Sequence, residues 1–553
     1  MFVVPAPAQA PQLRQLGGDP DWWRGGVIYQ IYPRSFLDMS GDGIGDLSGI
    51  AARLDYIAAL GVDAIWISPF FTSPMQDFGY DVSNYRDVDP MFGKLEDFDA
   101  LLDGAHKRGV RVMLDLVLSH TSDKHPWFQE SRVSRDNPRA DWYVWADPKP
   151  DGSPPNNWLS IFGGPAWEWD TRRRQYYMHN FLASQPDLNF HNPDVQQAML
   201  DVARFWLDRG VDGFRLDTAN MYFHDKELRD NPPLGPGMTV NGIPPQNPYG
   251  MQETKFNINR PENLRFMERL RALMDEYPAT TTVGEVGAVV NMTQALKDYT
   301  EGSRRLHMAY SFDFLSPAYD AAHVRRVAES MAHEGDSWPS WAFSNHDNER
   351  VVTRWGLGAD AERAGPMLVA LLCSLRGTPC LYQGEELALT EAMVPYEMLQ
   401  DPYGIRFWPD FRGRDGCRTP MPWSNAALHA GFSDGHPWLP IPPDHADRAV
   451  NVQDRNPTSP LNRVRAFLRW RKSRPELLKG GVRFHDANEP VVALTREQDG
   501  QRTLCVFNLR DAPASFDTGG FGPISPLGGH GFGGVLNGAG VSLGGYDAFF
   551  ATY

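Results

Sequence analysis

From residue 27 to residue 118 the chain repeats one pattern: a short β-branched run, an amphipathic stretch, then another β-branched run. Val27-Ile-Tyr-Gln-Ile-Tyr32 reads as a strand stopped by Pro33, residues 48–60 as a helix, and Gly61–Ile67 as a helix stop and buried strand. Residues 98–108 read as an amphipathic helix, and 109–118 as a third strand. Strand and helix in alternation require parallel strands joined by crossover helices, which restricts the chain to the α/β class. The alternation then breaks. Residues 121–192, rich in Trp, Pro, Asn and Gly, are predicted to form an inserted B domain after strand three. It resumes with helix 194–208, strand 213–216, helix 261–277, strands 281–285, 308–312 and 341–343, helix 361–375, strand 379–382 and helix 461–472. Eight strands predict a (β/α)8 TIM barrel built from 1–120 and 193–478, with loop insertions at 223–259 and 386–460. From 479 to 553 short alternating runs between Gly-rich turns predict a C-terminal antiparallel β-sandwich domain.

In such a barrel, chemistry sits at the C-terminal ends of the strands. The strand ends here carry Tyr80 and Asp81, His120, Arg215 and Asp217, Glu285, and His346 with Asp347. Arg215 and Asp217 are two residues apart on one strand and share a side, so the guanidinium holds the carboxylate ionised and usable as a nucleophile. Glu285 ends the apolar run Thr281-Thr-Val-Gly, where burial and neighbouring carboxylates raise its pKa, as a general acid requires. Three carboxylates without a catalytic zinc motif fit acid–base chemistry on a glycosidic bond, with Asp347 left to bind sugar hydroxyls.

The net charge of −16 argues against nucleic acid or an anionic membrane as partner, and no apolar run is long enough to span a bilayer. Cys373, Cys380, Cys417 and Cys505 show no metal spacing, and so few in a chain this long point to a reducing, cytoplasmic setting. Met1–Ala10 ends in Ala-x-Ala but has no basic start and two prolines in its apolar run, so it is not read as a signal peptide. Asp38, Ser40, Asp42 and Asp46, with the Ile44 carbonyl, alternate around glycines like the front half of a calcium loop, although the late Glu of an EF-hand is missing. The competing reading is a polar turn in which Asp46 caps the next helix.

Several segments resemble glycoside hydrolase family 13, the α-amylase family, and most closely its bacterial α-glucosidase and oligosaccharide-glucosidase branch. They are Asp115-Leu-Val-Leu-Ser-His120, Gln185-Pro-Asp-Leu-Asn189, Gly213-Phe-Arg-Leu-Asp217, Val283-Gly-Glu-Val286, Phe343-Ser-Asn-His-Asp347, Gly377–Glu386 and Gly413–Trp423. The resemblance implies Asp217 as nucleophile, Glu285 as acid/base and Asp347 as transition-state stabiliser. It implies that Asp77, Tyr80, His120, Arg215, His346 and Arg414 surround a non-reducing glucose, with Asp77 and Arg414 closing the pocket's far end and Phe162 walling it. Arg350 joins the expected substrate-binding set. The loop Asp38, Ser40, Asp42, Ile44, Asp46 matches the branch's structural calcium or magnesium site, and no organic cofactor is expected.

The resemblance implies a retaining, exo-acting α-glucosidase on small α-glucosides, able to transglucosylate. The alternatives are a glucosyltransferase or sugar isomerase (of sucrose isomerase or trehalose synthase type), or an α-1,6-specific oligosaccharide glucosidase. Thr218, after the nucleophile, goes with α-1,4 linkages in similar enzymes, where Val goes with α-1,6. Two departures stand out. Ser119 replaces the usual Asn before His120, and Asn348-Glu-Arg350 replaces the usual Gln-Pro-Arg, which implies altered selectivity beyond the first glucose. Oligomeric state is not readable from the sequence.

Overall fold

The structure is a computed structural model that describes residues 15–240, 242–332 and 336–553. The N-terminal decapeptide discussed above lies outside the described residues. Eight parallel strands close a barrel: β1 (Ile28–Ile31), β2 (Ala64–Ile67), β3 (Arg111–Leu116), β4 (Gly213–Leu216), β5 (Thr281–Glu285), β6 (Met308–Tyr310), β7 (Pro339–Ala342) and β8 (Thr378–Tyr382). Each pairs with its sequence neighbours, and β8 returns to β1. These are the eight strands expected.

The barrel is divided along its axis. Its lower lumen is apolar, filled by Ile28, Trp66, Met113, Val283, Met308 and Cys380 and packed against Trp22, Trp23 and Trp338. The polar groups lie above this layer, at the C-terminal ends. Register sets their level: Asp115 of β3 and Val283 of β5 lie opposite Arg215 of β4, and Glu285 lies opposite Tyr310 of β6.

The helix Pro193–Asp208 shows how the sequence builds the outer ring. Asn192 caps it, its side chain accepting from the Asp194 N–H, and Pro193 occupies the first turn, where a missing N–H costs nothing. Val195, Met199, Val202, Ala203 and Trp206 form the buried stripe. Fully burying one such large apolar side chain stabilises by about 1.5–3 kcal/mol. The single helix expected at 48–60 is two, Leu47–Ala52 and Leu54–Leu60, broken at Arg53, where the backbone leaves helical geometry. Two helices unmarked in the sequence reading, Met292–Thr300 and Ala321–Glu329, follow β5 and β6.

Residues 121–192 carry a small antiparallel sheet, Trp145–Ala146, Trp167–Asp170 and Gln175–Met178, beside the mouth of the barrel. A bridge between His120 and Asp187 ties its return to the end of β3. Beyond residue 480, a five-stranded and a three-stranded antiparallel sheet share a core of Val491, Leu504, Val506, Phe516, Val541 and Phe549. Among the described residues no helix is long and apolar enough to cross a membrane.

Candidate active site

Arg215 is the centre of the site. It is fully buried on β4 with its guanidinium over the Trp66 ring at 5.0 Å. Nη1 donates to Asp115 Oδ1 and Asp217 Oδ1, each at 2.7 Å; Nη2 donates to Glu285 Oε2 at 2.5 Å and to the Tyr310 hydroxyl at 3.0 Å. One cation thus serves three buried carboxyls. Burial pushes Asp217 and Glu285 up, each to about 7, against the pull of Arg215. Asp115 rises to about 6 for the same reason. Interacting carboxyls titrate as a set, so near neutral pH the set holds a proton beside an ionised partner, the state an acid and a nucleophile need together.

Thr218 fixes the relation between the two. Its φ is +42°, an uncommon region for a β-branched residue. That twist turns its backbone N–H onto Glu285 Oε2 at 3.1 Å. Both strong donors to Glu285 therefore meet Oε2, leaving Oε1 open for the acid proton. On Asp217, Arg215 takes Oδ1, and Oδ2 has only the Thr218 hydroxyl at 3.4 Å. A strained residue beside reacting groups is the kind of backbone cost that persists where function over-determines it.

Asp347 has the opposite environment. Burial opposes its charge, yet the guanidiniums of Arg418 and Arg414 hold it far below the ordinary carboxylate range. Arg418 Nη2 lies 2.8 Å and Arg414 Nη1 3.4 Å from its Oδ1. Burial keeps the His346 ring neutral; its Nδ1 accepts from Gln30 at 2.6 Å, and Nε2 meets the Tyr80 hydroxyl at 2.5 Å. The Tyr80 hydroxyl in turn donates a hydrogen bond to Asp115 Oδ2 at 3.0 Å.

The far end of the pocket is shut. Arg414 Nη2 reaches Asp77 Oδ1 at 2.8 Å and Asp401 Oδ1 at 2.7 Å, its Nε reaches Asp401 Oδ2 at 3.1 Å, and Gln185 donates to Asp77 Oδ2 at 3.1 Å. The Arg414 guanidinium lies over Phe162 at 5.0 Å, and Phe162 stacks on Tyr403 at 4.8 Å. The cavity enclosed is about 130 Å³. Ile161, Phe181, Met221, Ile243 and Phe312 give the same cavity an apolar share of its lining.

The structure therefore gathers Asp217, Glu285, Asp347, Asp77, Tyr80, His120, Phe162, Thr218 and Arg414 around one cavity, with Arg215 and His346 behind its wall. Arg350 is not among them. Its side chain turns inward, donating to the carbonyls of Gln383 and Cys417, each at 3.0 Å, and is 1% exposed. An Arg three positions after Asp347 reads as a ligand group, but the chain turns between them and buries it. Sequence reasoning assigned no role to Arg418, Asp401 or Asp115. Arg418 and Asp115 lie inside quoted motifs and could have been found there; Asp401 caps the short helix Pro402–Phe407, which its Asp-Pro pair signals, but nothing local marks it as a partner of Arg414.

The loop of Asp38 to Asp46 is held from within. Asp38 accepts from the N–H groups of Ser40, Gly41 and Gly43 and from the Ser40 and Ser433 hydroxyls. Asp46 caps the helix through Gly49 N–H at 2.7 Å and accepts from Met39 and Ser40. The donors are all oxygens, which suits a hard cation, and Ser40 Oγ lies 3.0 Å from Asp38 Oδ1. Among the described residues, however, no three His, Cys, Asp or Glu side chains gather as a metal-holding group.

A family model described as the alpha amylase catalytic domain matches residues 30–480. The chain belongs to the alpha-amylase family. It is an enzyme of that family of glycoside hydrolases, and its relatives run almost its whole length. It is 58% identical over 541 residues to a probable alpha-glucosidase of Rhizobium meliloti (strain 1021), covering 96% of this chain and 97% of that one. It is 37% identical over 543 residues to an oligo-1,6-glucosidase of Heyndrickxia coagulans, covering 90% and 94%. Among solved structures, an alpha-glucosyl transfer enzyme superposes with a TM-score of 0.94 at 56% identity, covering 96% of this chain and 99% of that one. A trehalulose synthase mutant superposes with a TM-score of 0.87 at 33% identity, covering 96% and 100%. The same barrel is thus shared with proteins named as glucosidases, as an alpha-glucosyl transfer enzyme and as a trehalulose synthase.

Proposed function

We propose that this member of the alpha-amylase family is a retaining, exo-acting α-glucosidase that releases glucose from small α-glucosides. The observation that carries the reading is the Asp77–Arg414–Asp401 cluster against Phe162, which closes the pocket behind one sugar ring. Asp217 Oδ2 attacks the anomeric carbon, forming a β-glucosyl ester as the glycosidic C–O bond breaks. Glu285 gives its proton to the departing oxygen. A water then loses its proton to Glu285 as its oxygen attacks the same carbon, and Asp217 leaves as carboxylate. Two carboxyls held by the two arms of one guanidinium support the short separation that retention needs. Asp347, kept anionic, accepts hydrogen bonds from ring hydroxyls.

Thr218 favours α-1,4 over α-1,6 linkages in this reading. Thr218 lines the cavity, and its hydroxyl would offer the leaving sugar a polar contact where a Val would offer only methyls, a difference of about 1 kcal/mol. Incubation with equal maltose and isomaltose tests this: glucose mainly from maltose supports it, and glucose mainly from isomaltose overturns the linkage assignment.

A second reading, transfer to an acceptor other than water, is favoured by the apolar residues Met221, Ile243 and Phe312 in the cavity lining and by the likeness to an alpha-glucosyl transfer enzyme. Early trisaccharide in the same incubation would move weight to it. We further propose that Asp38, Ser40, Asp42, Asp46 and the Ile44 carbonyl take a hard divalent cation, which would tie the loop after β1 to the following helix and play no part in bond cleavage. The all-oxygen donor set supports this.

A further inference from the structure

We propose that Ser119 is a positioning residue for linkage selectivity, acting through Thr218; the inference rests on the function proposed above. Ser119 is 1% exposed at the end of β3, where its hydroxyl bridges two groups: His120 Nδ1 at 2.9 Å and Thr218 Oγ1 at 3.0 Å. The direction of these bonds follows from the far side of the imidazole. His120 Nε2 faces the Tyr80 carbonyl at 2.9 Å, which can only accept, so Nε2 carries the hydrogen; the Gln185 amide nitrogen, 3.3 Å from Nε2, directs its two hydrogens to Asp77 Oδ2 at 3.1 Å and the Tyr80 carbonyl at 3.4 Å. Burial lowers the His120 pKa to about 4, so the ring is neutral and Nδ1 is a bare acceptor. Ser119 must then donate to Nδ1, and its oxygen is left to accept the Thr218 hydroxyl proton.

This settles what Thr218 can do. Its proton could go to Ser119 at 3.0 Å or to the nucleophile, Asp217 Oδ2, at 3.4 Å. The shorter contact takes it, since hydrogen bonds weaken quickly toward 3.5 Å. Thr218 then presents lone pairs to the cavity it lines, and Asp217 Oδ2 keeps its full nucleophilic character. Ser119 thereby makes Thr218 an acceptor for a hydroxyl of the leaving sugar rather than a donor to the nucleophile. The residue expected here, Asn, offers no hydroxyl for this bridge.

The test is a double-mutant cycle of Ser119→Ala and Thr218→Val, read as the ratio of kcat/KM on maltose to that on isomaltose. Ser119→Ala should lower the ratio about threefold or more, and should add no further change in the Thr218→Val background, because coupled neighbours are non-additive. Ser119→Thr, which keeps a hydroxyl, should hold the ratio near wild type, and Ser119→Val should behave as Ser119→Ala; this pair decides the matter if the Ala variant does not fold. Independent effects of the two substitutions, or an unchanged ratio in Ser119→Ala, would overturn the proposal. Turnover of p-nitrophenyl α-glucoside by the wild type separates the two claims: none at all would sink the proposed function, whereas turnover with additive effects would sink only the role of Ser119.

Discussion

Arg414 Nη2 sits 2.8 Å from Asp77 Oδ1, an ion pair in the wall of the cavity that, in the function proposed, blocks the end through which a longer glucan would have to pass. Asp401 holds the same guanidinium at 2.7 Å. Asp77→Ala therefore leaves Arg414 paired, and the fold should survive with a small change in melting temperature. The loss should appear in kcat/KM on maltose, about 30-fold or more, the scale for truncating one partner of a buried charge pair that a ligand contacts. Wild-type kcat/KM in that variant would mean the closed end does not bind sugar.

Asp217→Asn removes the nucleophile while keeping its volume. kcat should fall about 10⁴-fold or more, as when a nucleophile is removed from a catalytic unit. Undiminished turnover in a clean preparation would refute the assigned role.

The pH profile follows from the buried carboxyls. Asp217 must be ionised to attack, and with its pKa raised to about 7 activity is lost as pH falls below that. Glu285 must be protonated to assist departure, and with its pKa also raised to about 7 activity is lost as pH rises above it. A narrow bell in kcat/KM centred near 7 is expected. Glu285→Gln should remove the alkaline limb from the residual activity. A broad plateau from pH 5 to 9 would contradict this electrostatic picture.

Arg350 tests the line between site and scaffold. Its guanidinium joins the carbonyls of Gln383 and Cys417 across two loops. Arg350→Ala should cost about 2–5 kcal/mol in stability, since a buried carbonyl left without a donor costs about 1–3 kcal/mol. KM of the folded fraction should change little. A large KM effect at unchanged melting temperature would restore Arg350 to the substrate-binding group.

Chelation addresses the loop of Asp38 to Asp46. If it takes a divalent cation, a chelator should lower the melting temperature and added calcium or magnesium should restore it, as for any ligand that binds only the folded state. No shift in either direction returns the loop to a polar turn, for which the amide donors to Asp38 and Asp46 are already sufficient.

The barrel was legible because its strands are short apolar runs cut off by Gly and Pro and separated by amphipathic stretches, a pattern that local sequence carries. Arg53 shows where such reading fails: nothing in residues 48–60 marks the break, because it follows from how two short helices seat on their neighbours. The meeting of Asp217 and Glu285 at one cavity was legible because both end apolar strands. The partners that tune them were not. Arg414 meets Asp77 across 337 residues and Arg418 meets Asp347 across 71, and only the closed fold brings these charges together; Asp401 is 13 residues from Arg414, but nothing local marks the two as partners. Arg350 lies apart from the cavity for a related reason: sequence places it three residues from Asp347, while the backbone turns its guanidinium onto the Gln383 and Cys417 carbonyls.

The central claim is that Asp217 and Glu285 run a double displacement on a terminal glucose. It is tested most directly by proton NMR of maltose hydrolysis in the first minutes, before the products mutarotate. The account predicts that the glucose newly released from the non-reducing end appears as the α-anomer. Initial release of the β-anomer would contradict it, because inversion requires a single displacement by water and leaves Asp217 no role as nucleophile.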